Sequence, residues 1–187
     1  MIDRGGLDAC TMRAVATELG VEAMSLYWHV ENKEDLLDGV VQRVLADIAV
    51  PPEEPTEWRD RMIAFAARFR ALLLEHPNVV PLLAKRSATA YAVAKRAAVV
   101  SLHNLERAGF SSAAAIDITR MFVRFVFGFT MVETVQLQAQ VHGRPPEGTE
   151  PELEAFMASV TSDDPQQLFD LGLEVVLAGI EAKRLGL

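Results

Sequence analysis

The stretch Thr11–Val30, TMRAVATELGVEAMSLYWHV, decides how this sequence folds. Thr11 is of a type that caps helices, its hydroxyl accepting from an orphan amide of the first turn. Val15 and Leu19 follow at i, i+4, one face of a short helix. Gly20 breaks that helix, and glycine takes the positive φ that such a turn often needs. A second short helix follows, with Leu26 and Val30 on one side. Helix, glycine turn and short helix make the helix-turn-helix arrangement, whose second helix enters the major groove of DNA. The pattern predicts Val15, Leu19, Val21, Leu26 and Val30 facing inward. Ala23, Met24, Ser25, Trp28 and His29 face outward, with Tyr27 at the flank. Small outward residues let the backbone approach bases, Ser25 can donate to a phosphate or a base edge, and Met24 and Trp28 can touch thymine methyl groups. The triplet YWH would also suit an aromatic packing cluster. Neighbouring residues lie ~100° apart around a helix, however, so Tyr27 and Trp28 cannot both face inward.

Outward from this motif, Asn32 is placed to cap a third helix, with Asp35 at the reciprocal position of a capping box. Leu36, Leu37, Val40, Val41, Val44, Leu45 and Ile48 form its apolar stripe. PPEEP at 51–55 punctuates the chain. It divides residues 1–50, a helix-turn-helix domain with a linking helix, from residues 51–187, a larger helical domain. Beyond it the sequence predicts a helix from Thr56 to about Glu75, a turn between Pro77 and Pro81, and a helix from Ser87 to Gly109. The longest helix opens at Ser111 or Ser112 and reaches about Val141. A loop at 142–151, a short helix at 152–160 and a last helix begun by Asp164 and Pro165 complete the chain. Strand signals are nearly absent, so the fold class is all-α, in two unequal parts.

Half of the 187 residues are apolar and 24% are charged, enough for a substantial core. The single cysteine, Cys10, cannot close an internal disulfide. The start, MIDRGGLDAC, has no signal-peptide core, and the most apolar stretch, Met121–Val132, is short and carries Arg124. A soluble, cytoplasmic protein is expected. The net charge of −8 argues against nucleic acid, and residues 1–50 hold four basic residues against nine acidic ones. The case for DNA therefore rests on the motif. There is no HExxH, no clustered Cys or His, and no GxSxG. No enzyme, metal or cofactor is expected.

The long helix carries Phe122, Phe125, Phe129 and Val132 on one face and apolar residues around most of the rest. Such a helix is buried on most sides. The last helix has a stripe of Phe169, Gly172, Leu173, Val176, Gly179 and Ile180. Both features suit a C2 homodimer joined through a four-helix interface, and the same stripe would also suit packing within one chain.

Residues 10–37, CTMRAVATELGVEAMSLYWHVENKEDLL, resemble the signature LTxRxVAxxLGVxxxxLYxHVxNKxxLL of the tetracycline-repressor (TetR) family of bacterial transcriptional regulators. The match runs some 28 residues without a gap. The resemblance implies that Arg13, Ala23, Met24, Ser25, Trp28 and His29 face bases, while Thr11, Tyr27 and Lys33 hold phosphates. Where tetracycline repressors carry Gln-Pro-Thr, this chain has Ala23-Met24-Ser25, which implies a different operator. Family members begin with a full first helix. Here Met1–Arg4 precede Gly5 and Gly6, enough for its last turn at most, as in a fragment, a mis-assigned start or a trimmed chain.

Over the second part the Trp58-led helix, His76-Pro77, LAKR at 83–86 and GFTMVE at 128–133 are similar to the tetracycline-repressor ligand domain. That similarity implies that residues 51–187 are a helical ligand-binding and dimerisation domain whose pocket includes Phe65, Phe69, Leu82, Arg86 and Glu133; Phe122, Phe125 and Phe129 extend its apolar lining, and His103 is a further polar point. The amide that grips tetracycline falls at Phe65 and the magnesium-ligating histidine near Leu82, which argues against magnesium–tetracycline as the ligand. The expected partners are a palindromic DNA operator, a second copy of the chain and a largely apolar small-molecule inducer that releases the DNA. The alternative is a small-molecule-binding helical dimer whose truncated DNA-binding head no longer works.

Overall fold

The computed structural model describes residues 1–48, 57–86, 92–139, 150–152, 155 and 164–185, and among these every regular element is helical. Helices α1 (Ile2–Ala9), α2 (Met12–Leu19), α3 (Ala23–Leu26) and α4 (Lys33–Ala46) form a head. The body contains α5 (Trp58–Glu75), a 3-10 turn (Pro77–Val79), α6 (Val80–Lys85), α7 (Ala92–Arg107), α8 (Ser112–Ala139) and α9 (Pro165–Leu185). The expected boundary at PPEEP, the helix start at Ser87, the loop at 142–149 and most of the helix expected at 152–160 lie outside the described residues.

The caps form much as the residue types dictate. Thr11 Oγ1 accepts from the Ala14 amide at 3.2 Å, and Gly20 ends α2 with φ of +68°. Asn32 Oδ1 accepts from the Asp35 amide at 3.0 Å. The Asp35 carboxylate accepts from the Glu31 amide at 3.1 Å, one residue before the position a capping box uses. Asp164 Oδ1 accepts from the Gln166 amide at 2.9 Å, with Pro165 in the first turn of α9.

Two expectations are corrected. Helical residues do not stop at Arg4: a second turn reaches Ala9 beyond a break at Gly6 (φ +72°, ψ −177°). Glycine, with no Cβ, takes that non-helical conformation, so Ile2–Ala9 is two short helical pieces joined at a kink. Leu19 and Val21, expected inside, are exposed, Leu19 by 63%. They end α2 and open its turn, and α2 buries Ala16 instead. Of the two packings open to the α9 stripe, the one within this chain accounts for most of it. Phe169, Leu173 and Ile180 are buried within this chain, and a Cβ on Gly172 would stand 3.0 Å from Phe125 Cζ of α8. The glycine stripe is thus largely a packing face against α8. The exposed apolar residues of α9 are its neighbours Leu168, Leu171 and Val175.

One apolar core runs from Ile2 of α1 through Leu37 and Val41 of α4 into α5, α6, α8 and α9. Trp58 meets Phe110 edge to face at 5.6 Å, fixing the start of α5 beside the start of α8. Buried Thr130 donates to the Val126 carbonyl at 2.8 Å, so its hydroxyl is satisfied within α8. No helix among the described residues is long and apolar enough to cross a membrane.

Candidate nucleic-acid interface and ligand core

The head presents side chains in two ways. Leu26 of α3 is buried and anchors the short helix. Met24, Tyr27, Trp28 and His29 are exposed, with Trp28 at 87% and Met24 at 70%. Desolvating an indole on a partner surface is favourable, so a Trp left this bare marks a contact face. Ala23 and Ser25 are half-buried, and Ser25 Oγ donates to the Glu22 carbonyl at 2.6 Å. Thr11 and Arg13 are exposed on the adjoining edge of α2. Lys33 is partly buried, and its Nζ donates to the Leu7 carbonyl at 3.2 Å, tying α4 to α1. The nine expected head residues lie on α2 and its N-cap, on α3 and the turn that follows it, and at the start of α4.

Two polar joints fasten the head to the body. At the end of α6, Arg86 Nε donates to Asp38 and Arg86 Nη2 donates to Glu34, one turn apart on α4. Burial by itself pulls the Arg86 pKa down; the hydrogen bonds and charges of Asp38 and Glu34 outweigh it, and the net shift is upward. At the 3-10 turn, Asn78 Nδ2 donates to the Ile2 carbonyl at 3.0 Å. His76 Nδ1 lies 3.0 Å from Asp3 Oδ2 beside it.

The expected ligand core is gathered in part. Phe65 packs against Phe69 at 5.5 Å and Phe122 at 6.4 Å, and Phe69 stacks on Phe127 at 6.5 Å. Phe125 stacks on Phe169 at 5.9 Å, and Phe129 meets Phe169 edge to face at 5.2 Å. Leu82 is buried in the same continuous core. Two polar expectations are corrected. Arg86 belongs to the joint with α4, because Asp38 and Glu34 hold its guanidinium there. His103 is exposed on α7, whose buried residue is Leu105 two positions on.

Glu133 is inside, and its partner is a residue the sequence reading missed. Arg70 grips Glu133 with a two-pronged bond, Nε to Oε2 at 2.9 Å and Nη2 to Oε1 at 2.7 Å. Their side chains are 11% and 8% exposed. Arg70 Nη1 donates to Gln166 Oε1 of α9, and the guanidinium carbon lies 4.8 Å from the centre of the Phe169 ring. The signal was available in the periodicity. Arg70 follows Ala66 by four and precedes Leu73 by three, on the buried stripe of α5, and Glu133 follows Val126 by seven on that of α8. Among the described residues no His, Cys, Asp and Glu side chains gather into a group that could hold a metal ion.

A groove of about 410 Å³ opens between α8 and α9, lined by Ile118, Met121, Val175, Val176, Gly179 and Ile180 with Asp117 and Lys183 at its edge. Around it α8 exposes Ile116, Met121, Val132, Val135 and Leu137, and α9 exposes Leu168 and Leu171.

The model for bacterial regulatory proteins of the tetR family matches residues 1–40, and that for the tetracyclin repressor-like C-terminal domain matches residues 51–184. An HTH-type transcriptional regulator of Saccharopolyspora erythraea is 32% identical over 97% of this chain and 80% of its own. The class A tetracycline repressor from transposon 1721 of Escherichia coli is 29% identical over 99% of this chain and 87% of its own. The structure of ActR, a TetR family protein of Streptomyces coelicolor, in complex with actinorhodin superposes with a TM-score of 0.79. It is 27% identical and covers 98% of this chain and 92% of that one.

Proposed function

The chain belongs to the TetR family of bacterial transcriptional regulators, and from that premise we propose that it is a repressor that binds a palindromic DNA operator as a homodimer and is released by a largely apolar small molecule. The observation that carries this reading is the bare face made by α3 and the turn after it, where Met24 and Trp28 are exposed on either side of buried Leu26. Arg13, Ala23, Met24, Ser25, Trp28 and His29 read bases. Thr11, Tyr27 and Lys33 hold the backbone, with Lys33 at a helix start where a phosphate is favoured. The exposed apolar residues of α8 and α9 fit a second copy. A two-fold dimer repeats the head about one helical turn along the duplex, which dictates a palindrome.

Release needs a ligand that prefers one arrangement of the body. The aromatic core around Phe65, Phe69, Leu82, Phe122, Phe125 and Phe129, with Glu133, is the site we assign to it. The actinorhodin complex of the similar ActR supports a ligand in this fold. Arg86 is then the link by which a shift of α6 reaches α4 and moves the recognition helix. The test is a selection of randomised duplex DNA with the purified protein at moderate salt. Enrichment of a short palindrome is expected. A folded, dimeric protein that enriches no sequence overturns the DNA-binding reading and leaves a ligand-binding dimer.

A further inference from the structure

The Arg70–Glu133 pair joins α5 to α8, a link that stability alone does not require to be ionic. A buried ion pair is commonly no more stabilising than apolar side chains of the same volume, because desolvation offsets the attraction. Here the pair sits beside stacked phenylalanines at the junction of α5, α8 and α9. Both groups keep hydrogen-bonding capacity. A guanidinium has five N–H donors and Arg70 uses three, two on Glu133 and one on Gln166. The carboxylate has about four acceptor positions and two are filled by Arg70. The third donor goes to the carboxamide oxygen of Gln166, an exposed residue whose Nε2 donates to Asp170 at 2.8 Å.

We propose that Arg70 and Glu133 form the polar anchor of the ligand site, and that the ligand is a neutral planar aromatic carrying a hydrogen-bond acceptor and donor on one edge. The proposal rests on the ligand-responsive reading above and narrows its ligand class. Charge balance decides the class. The pair is neutral as a unit, so a carboxylate ligand would compete with Glu133 for Arg70, and an ammonium would compete with Arg70 for Glu133. Either would leave one unpaired charge in an apolar site, which is costly. A neutral donor–acceptor edge satisfies the spare N–H and the spare lone pair together. The Gln166 carboxamide shows half of this chemistry, its oxygen accepting from Arg70 while its Nε2 donates to Asp170, and a ligand carbonyl takes that oxygen's place on Arg70. The phenylalanines supply faces for the aromatic body.

The experiment is calorimetric titration of the full chain with three probes of one shape: 2-naphthamide, 2-naphthoate and naphthalene. The neutral amide is expected to bind at least tenfold more tightly than the other two. Gln166→Ala, an exposed change, is expected to raise amide affinity severalfold by removing the competing carboxamide. The double variant Arg70→Met with Glu133→Leu keeps the site filled and uncharged. It is expected to bind naphthalene as the parent does and to lose the amide preference. Equal affinities, or a preference for naphthoate, overturn the anchor and leave the apolar ligand site standing. No binding of any probe overturns both.

Discussion

At the scale of single residues, the head divides by what each side chain touches. Trp28 and Met24 are bare, so their replacement should leave the fold of the head intact. Trp28→Ala or Ser25→Ala should alter the preferred base, seen as a changed motif in a repeated selection. Tyr27→Ala and Lys33→Ala should weaken binding on all sequences, and Lys33→Ala should flatten the salt dependence. Lys33→Ala should also lower the melting temperature, because Nζ holds the Leu7 carbonyl. Equal weakening on every sequence for all four variants refutes the division. Arg86→Ala tests a different role. Its partners Glu34 and Asp38 are largely exposed, so the loss of stability should be only about 1 kcal/mol. Ligand affinity should hold while DNA release by ligand is blunted. A variant with collapsed ligand affinity and normal release would return Arg86 to the pocket. The sequence could not show this, since Arg86 meets carboxylates about 50 positions away and no local period records that distance.

At the scale of elements, caps were the most legible part of the chain. Thr11, Gly20, Asn32 and Asp164 act through bonds to neighbours a few residues off, which is what a one-dimensional reading sees. Side-chain direction was less legible. Leu19 is apolar at a helical spacing yet bare, because burial depends on which element lies opposite. Arg70 is charged yet buried, because its partner lies 63 residues along the chain. Gly172 shows the same dependence on a neighbour. Its missing side chain is needed because Phe125 stands against it, held in turn by Phe169 and Phe129. Gly172→Ala should therefore cost about 1 kcal/mol of stability, as overpacking outweighs the helix-propensity gain. Gly39→Ala in α4, where nothing lies within 4 Å, should instead add roughly 0.5–1 kcal/mol. Chemical denaturation of the two variants decides it. If both are stabilised, Phe125 is not pinned.

At the scale of the whole molecule, the unsatisfied surface is the apolar band of α8 and α9. Leu168, Leu171 and Val175 recur at i, i+3 and i+7 on a helix whose opposite face is already packed. On α9 the glycine stripe packs largely against α8, and the exposed apolar positions lie one residue away from it. A stripe with two glycines and a stripe of leucines are equally good candidates until one is seen occupied. Leu171→Glu with Val175→Glu should convert a dimer to a monomer in sedimentation velocity, with helix content unchanged. The monomer should lose the palindrome and retain weak binding to half of it. A variant that remains dimeric moves the two-fold axis elsewhere.

The bond from Asn78 to the Ile2 carbonyl spans 76 positions of chain. Synthesis at roughly 5–20 residues per second separates its two ends by about 4–15 s. For that interval α1 has been made but lacks the turn that seats it. Ile2, buried in the finished core, waits without cover. Helix α1 is thus seated only when the turn after α5 exists, while α6, α7, α8 and α9 are still to be made. Protease sensitivity during refolding should fade from the α1 end only after the corner between α5 and α6 has formed.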